Sequence, residues 1–149
     1  MQKLQMALLC ILLLFIAAFQ GLEDPKKLLI KKWKLNEPEM RRVLKDKIKE
    51  MITQQGGTLT EEEVESEVNT AWERIKVMTI EFKAEGTFES LTPQGEQKGK
   101  WTLSADNQQL TTQREGAPAR NFKIIKITKD ELVLDTGQQQ IPVLAMIPN

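Results

Sequence analysis

The chain has 149 residues, 21 Lys+Arg balanced by 21 Asp+Glu, one cysteine, no histidine and no tyrosine. Without histidine there is no Ser-His or Cys-His relay, no imidazole base and no imidazole metal ligand, and zinc sites built from Cys and His are excluded. Balanced charge argues against a nucleic-acid binder that works by neutralising phosphates, and the length fits one domain that buries roughly two-thirds of its unfolded surface.

Residues 1–20 have the form of a secretory signal peptide. Lys3 and the terminal amine precede an apolar run of 14 residues, Met6 to Phe19, in which Ala17 and Ala18 are small. As a helix that run spans ~21 Å, short of the ~30 Å hydrocarbon core, so no stable transmembrane anchor is expected. Cys10 lies inside the apolar run after Leu9, which is not the place of a lipidated cysteine, and it leaves with the signal. The expected product is an exported protein, periplasmic or extracellular, with residues 21–149 as a single domain. It has no cysteine and carries 20 basic against 21 acidic groups, formally −1. Its fold must then rest on a packed core and not on disulfides.

Asp24-Pro25 is a helix-start pair. It leads through a short turn into an extended segment, Ile30 to Leu35, centred on Trp33. Two helices follow, predicted as a hairpin over 37–76. The first opens on Asn36 and Glu39 as a capping box, carries Met40, Val43, Leu44, Ile48, Met51 and Ile52 at helical spacing, and ends at Gly56-Gly57. The second opens on a Thr60/Glu63 box and carries Val64, Val68, Ala71, Trp72 and Ile75.

From Val77 the period becomes two. Met78, Ile80 and Phe82 alternate with polar residues, and Ala84-Glu85-Gly86 fits a three-residue hairpin loop that pairs Phe82 with Phe88. Thr92 to Gly95 is the next turn. Gly99, Trp101 and Leu103 share a face, and Asp106-Asn107 turns the chain into Leu110 to Gln113. A Gly/Pro loop over Glu115 to Ala119 precedes the strand Asn121 to Thr128, where Ile124-Ile125 breaks alternation and predicts a bulge or two-sided burial. Lys129-Asp130 turns into Glu131 to Asp135. Thr136-Gly137 then precedes a last strand, Gln139 to Ile147, whose Pro142 suggests an edge or closure position. The expected fold is mainly β: an antiparallel up-and-down barrel or half-barrel of about eight short strands, with the helical hairpin inserted after the first.

Trp33 followed by Leu35, the helical insert, and the runs MTIEFKAEGTFES, KGKWTLSADNQQL and IIKITKDELVL together resemble the bacterial lipocalin-like domain proteins, small exported or lipid-anchored proteins of Bacteroidota-type bacteria. The resemblance covers about residues 27–147 and implies a barrel-like fold able to bind a small apolar molecule. One departure is plain. Lipocalins proper carry Gly-x-Trp in the first strand, whereas Lys31 stands in the glycine place before Trp33, and the better match, Gly99-Lys100-Trp101, lies mid-sheet.

Candidate ligand-binding residues are Ile80, Phe82, Phe88, Trp101 and Phe122. They could line a cavity, or they could simply fill a small barrel. An open pocket of ~300 Å³ or more would favour a ligand, and a filled interior would exclude one. Glu61, Glu62, Glu63, Glu65 and Glu67 suit the positive end of a helix better than a Ca²⁺ site. Lys26, Lys27, Lys31, Lys32 and Lys34 suit a solvated surface better than lipid headgroups, and Met40 and Met51 suit helix docking better than a partner groove. No nucleophile elbow, phosphate-cradling glycine loop or dinucleotide fingerprint is present, so neither enzyme activity nor a cofactor or metal is expected. The function expected is non-covalent binding of a small apolar or amphipathic ligand, with the hairpin as a candidate lid. The alternative is a solid-cored interaction module whose helices recognise an envelope protein partner. No nucleic-acid partner is expected.

Overall fold

In a computed structural model, which describes residues 23–149, eight strands form a closed antiparallel barrel in sequence order. The expected signal segment 1–20 lies outside the described residues. The elements are α1 (Pro25–Leu29), β1 (Lys32–Leu35), α2 (Glu37–Gln54), α3 (Glu61–Ile75), β2 (Thr79–Phe82), β3 (Thr87–Thr92), β4 (Gly95–Leu103), β5 (Gln109–Arg114), β6 (Arg120–Ile127), β7 (Leu132–Asp135) and β8 (Val143–Pro148). Closure is made by β1, which pairs with β2 on one side and on the other with β8 through Trp33↔Pro148, Lys34↔Ile147 and Leu35↔Met146. β8 is therefore the closing strand. It is shorter than predicted, because Pro142, which has no N–H to give a ladder, lies just before it.

Strand direction sorts the connections between two ends. The β2–β3, β4–β5 and β6–β7 turns and α1 share one end. The helical hairpin and the β3–β4, β5–β6 and β7–β8 connections share the other. The first end is sealed. Leu29 and Trp33 are fully buried there, and the Trp33 indole Nε1–H donates to the Leu29 carbonyl at 3.0 Å. Lys31, in the place lipocalins give to glycine, ties this corner down. Its Nζ lies 5.1 Å from the Trp33 ring centroid and donates to the Lys129 carbonyl in the β6–β7 turn at 2.9 Å.

The two helix starts differ. Thr60 and Glu63 form the predicted capping box: Glu63 accepts from the Thr60 N–H at 2.8 Å, and Thr60 Oγ1 accepts from the Glu63 N–H at 3.3 Å. Asn36 and Glu39 do not. The Asn36 N–H that Glu39 would reach already donates to the Ala145 carbonyl of β8, and Glu39 pairs with Arg42 instead. The α2 C-terminus closes as expected on Gly56 at φ 72°, with the Gly57 N–H on the Ile52 carbonyl.

The hairpin docks on the outside of the barrel. Ala145, on the outer face of β8, is buried there, and its N–H points at Met40 Sδ at 3.3 Å. Met40, Leu44, Val64, Val68 and Trp72 are buried between the helices and the wall, so most of the stripe is used in docking, while Met51 at its far end is exposed. Lys45 bridges Glu61 and Glu65 across the two helices, which holds the Glu61 carboxyl below the usual carboxylate range.

The strand register follows the predicted turns. Phe82 pairs with Phe88 across a loop ending in Gly86 at φ 84°. The break at Ile124-Ile125 is a bulge. Ile124 opposes Leu134 and Lys126 opposes Val133, and Ile125 is thrown outward to 56 % exposure, so two-sided burial does not occur. Gly99 sits between Phe88 and Arg114 in the ladder, where a Cβ would come within 2.9 Å of Phe88 Cε1 and the Gln113 carbonyl group. Gly99→Ala is expected to destabilise the barrel by about 1–3 kcal/mol, seen as a lower urea midpoint at unchanged slope.

Candidate functional site

The inward faces of the strands leave a cavity of about 180 Å³. The interior is thus not filled, though it falls short of the ~300 Å³ at which drug-sized ligand pockets begin. Its residues come from the strands and from the connections at the unsealed end: Met78 before β2, Thr92 at the end of β3, Pro118 between β5 and β6, and Thr136, Gln138 and Ile141 between β7 and β8. No residue of α1 or of the turns at the sealed end contributes, so the cavity opens where the hairpin leaves the barrel.

A depression between β4 and β5 has a larger volume, about 490 Å³, but it lies around Lys98, Lys100, Gln113 and Glu115 and shares only Arg114 with the barrel cavity. Enclosure by apolar side chains, and not volume, distinguishes the barrel interior as the site.

The cavity changes character along its depth. Its inner wall is apolar, made by Phe82 and Phe88 on β2 and β3, Leu110 and Phe122 on β5 and β6, and Leu134 and Met146 on β7 and β8. Toward the opening the inward positions become smaller or polar, as at Ser90, Thr92 and Gln97, while Thr112 is a buried hydroxyl opposite Trp101. Two arginines, Arg114 at the end of β5 and Arg120 at the start of β6, complete the rim.

The five predicted residues divide. Ile80, Phe82, Phe88 and Phe122 line the cavity. Trp101 does not. It faces inward but lies behind Phe82, edge to face at a centroid distance of 5.6 Å, and its Nε1–H donates to the Lys83 carbonyl at 3.0 Å. Its place is the packed wall toward the sealed end. The hairpin is likewise not a lid: no residue of α2 or α3 lines the cavity, because α2 packs on the outer face of β8 and α3 packs on α2. The arginines were missed because Arg114 and Arg120 flank a Gly/Pro loop. Extending the alternation of Leu110, Thr112 and of Phe122, Ile124 by two residues would have placed both on the inner face.

Among the described residues, no acidic side chain and no lysine lines the cavity. The carboxyls held below their usual range, among them Glu61, Glu63, Glu89 and Asp106, owe it to hydrogen bonds from exterior partners: Lys45, the Thr60 backbone, Lys83 and Ser104 respectively. Among the described residues no group of three or more His, Cys, Asp or Glu could hold a metal ion, and no helix is long and apolar enough to cross a membrane.

A closed eight-stranded antiparallel barrel, plugged by tryptophan at one end and hollow at the other, is a lipocalin-like fold. The chain belongs to the lipocalin-like domain family, whose model matches residues 29–134. Among solved structures it is similar to a DUF4847 family protein from Bacteroides vulgatus, at 12 % identity and a TM-score of 0.52, covering 81 % of this chain and 94 % of that one. It is also similar to a lipocalin-like protein from Bacteroides uniformis, at 14 % identity and a TM-score of 0.45, covering 82 % and 99 %. Comparison with curated proteins returned no match. The fold carries a general capacity for ligand binding.

Because Trp101 packs behind the cavity wall, Trp101→Phe should cost about 0.5–1.5 kcal/mol through the lost indole hydrogen bond while leaving the cavity itself intact. Chemical denaturation measures the first effect, and uptake of a small apolar dye measures the second.

Proposed function

We propose that the protein is an exported binding protein that holds a small apolar or amphipathic ligand non-covalently inside the barrel and catalyses no reaction on it. The observation that carries this reading is the apolar-walled cavity of about 180 Å³ open at one end. Each methylene moved from water into such a wall contributes about 0.8 kcal/mol, so affinity comes from burial against Phe82, Phe88, Leu110 and Phe122. The volume sets the ligand class: a single ring or a short chain, not a large lipid. That no carboxylate or lysine among the described residues lines the cavity supports binding without chemistry. The export half of the reading rests on the pattern of residues 1–20.

The test is to fill the void. Ser90 is a small residue on the cavity wall. Ser90→Phe is expected to keep or raise the melting temperature and to weaken binding of a single-ring dye such as 4-nitroaniline by at least about tenfold. In a solid interior the same substitution would cost about 1–3 kcal/mol, and the unmodified protein would take up no dye; that outcome contradicts the reading.

A further inference from the structure

Among the described residues, the only charged side chains lining the cavity are Arg114 and Arg120, and neither has a side-chain partner there. Neither takes part in any ion pair among the described residues, although exterior lysines and arginines are extensively paired. The ladder places them together. Thr112 of β5 pairs directly with Arg120 of β6, and Arg114 lies two residues beyond Thr112 on the same inward face. Such diagonal neighbours stand about 7–8 Å apart at the backbone, within reach of each other's long side chains. An oxyanion between the two guanidinium groups would accept hydrogen bonds from both forks and offset their mutual repulsion. Arg114 is half-buried and Arg120 exposed, so the pair marks the rim while the apolar wall lies deeper.

We infer that the ligand is a small amphipathic anion, with an apolar tail of short-chain or single-ring size in the cavity and an oxyanion head, carboxylate or phosphate, held at the rim by Arg114 and Arg120. This rests on the barrel being a binding protein and adds the charge of its ligand. The cavity alone is indifferent to the sign of a headgroup. The rim is not, because it is cationic and no acidic side chain lines it.

The experiment compares four octyl compounds with one tail: octanoate, octyl phosphate, 1-octanol and octylamine, titrated calorimetrically at pH 7.5 in low salt. Octanoate or octyl phosphate should bind at least about tenfold more tightly than 1-octanol, and octylamine more weakly still. Which anion leads distinguishes a carboxylate from a phosphate ligand. The double variant Arg114→Gln/Arg120→Gln should bring the anion down to the affinity of the alcohol. A control of equal charge change on the outer face, Lys100→Gln/Lys123→Gln, should leave the anion preference in place. Equal binding of anion, alcohol and amine overturns the charge assignment while the binding-protein reading stands. Loss of the preference in the control overturns it as well, by making it a property of net charge. Failure of every octyl compound to bind overturns both readings.

Discussion

β1 is four residues long and is hydrogen-bonded on both sides, to β2 and to β8. That double pairing is what turns a meander into a barrel. The last strand returns to the first and no edge is left open. It also fixes both ends. The chain enters β1 from a corner sealed by Leu29 and Trp33 and leaves at the opposite end, so the helical hairpin must start at the rim. The Asn36 N–H, taken by Ala145 of β8, turns the chain outward at that point and lays α2 along the wall. The opening stays uncovered for this reason.

The hollow follows from how side-chain size is distributed along the axis. Trp33, Trp101 and Leu132 are buried toward the sealed end, and none of them lines the cavity. The inward positions nearer the rim include Ser90 and Thr92, which are small. A strand pair that spends a bulky residue at one end and a hydroxyl at the other makes a plug and a cavity from the same pleat. The polar residues then sit where water and a ligand headgroup can both reach them.

The features written locally in the sequence could be recovered from it. The loop ending in Gly86 set the Phe82–Phe88 register, the Thr60/Glu63 box started a helix, and the broken alternation at Ile124-Ile125 located the bulge. Local patterns do not distinguish a barrel from a half-barrel, because closure depends on a pairing between residues 33 and 148 that no local pattern records. The Asn36 cap failed for the same reason, its N–H being claimed by a strand more than a hundred residues away. Alternation tells which face a side chain takes but not its height along the barrel axis. Trp101 and Phe82 share an inward face, yet only Phe82 reaches the cavity. The arginine rim was hidden because its members flank a loop, where charged residues are usually solvated surface.

The central claim is that the barrel interior, and no other surface, receives a small ligand. The most direct measurement is methyl-resolved NMR during titration with octanoate. The account predicts saturable shifts at Ile80, Leu110, Leu134, Leu144 and Met146, which line the cavity, with little change at Leu29, Val68 and the exposed Ile125, which do not. Shifts confined to the helical hairpin or the outer wall, with the cavity methyls unmoved, would contradict it.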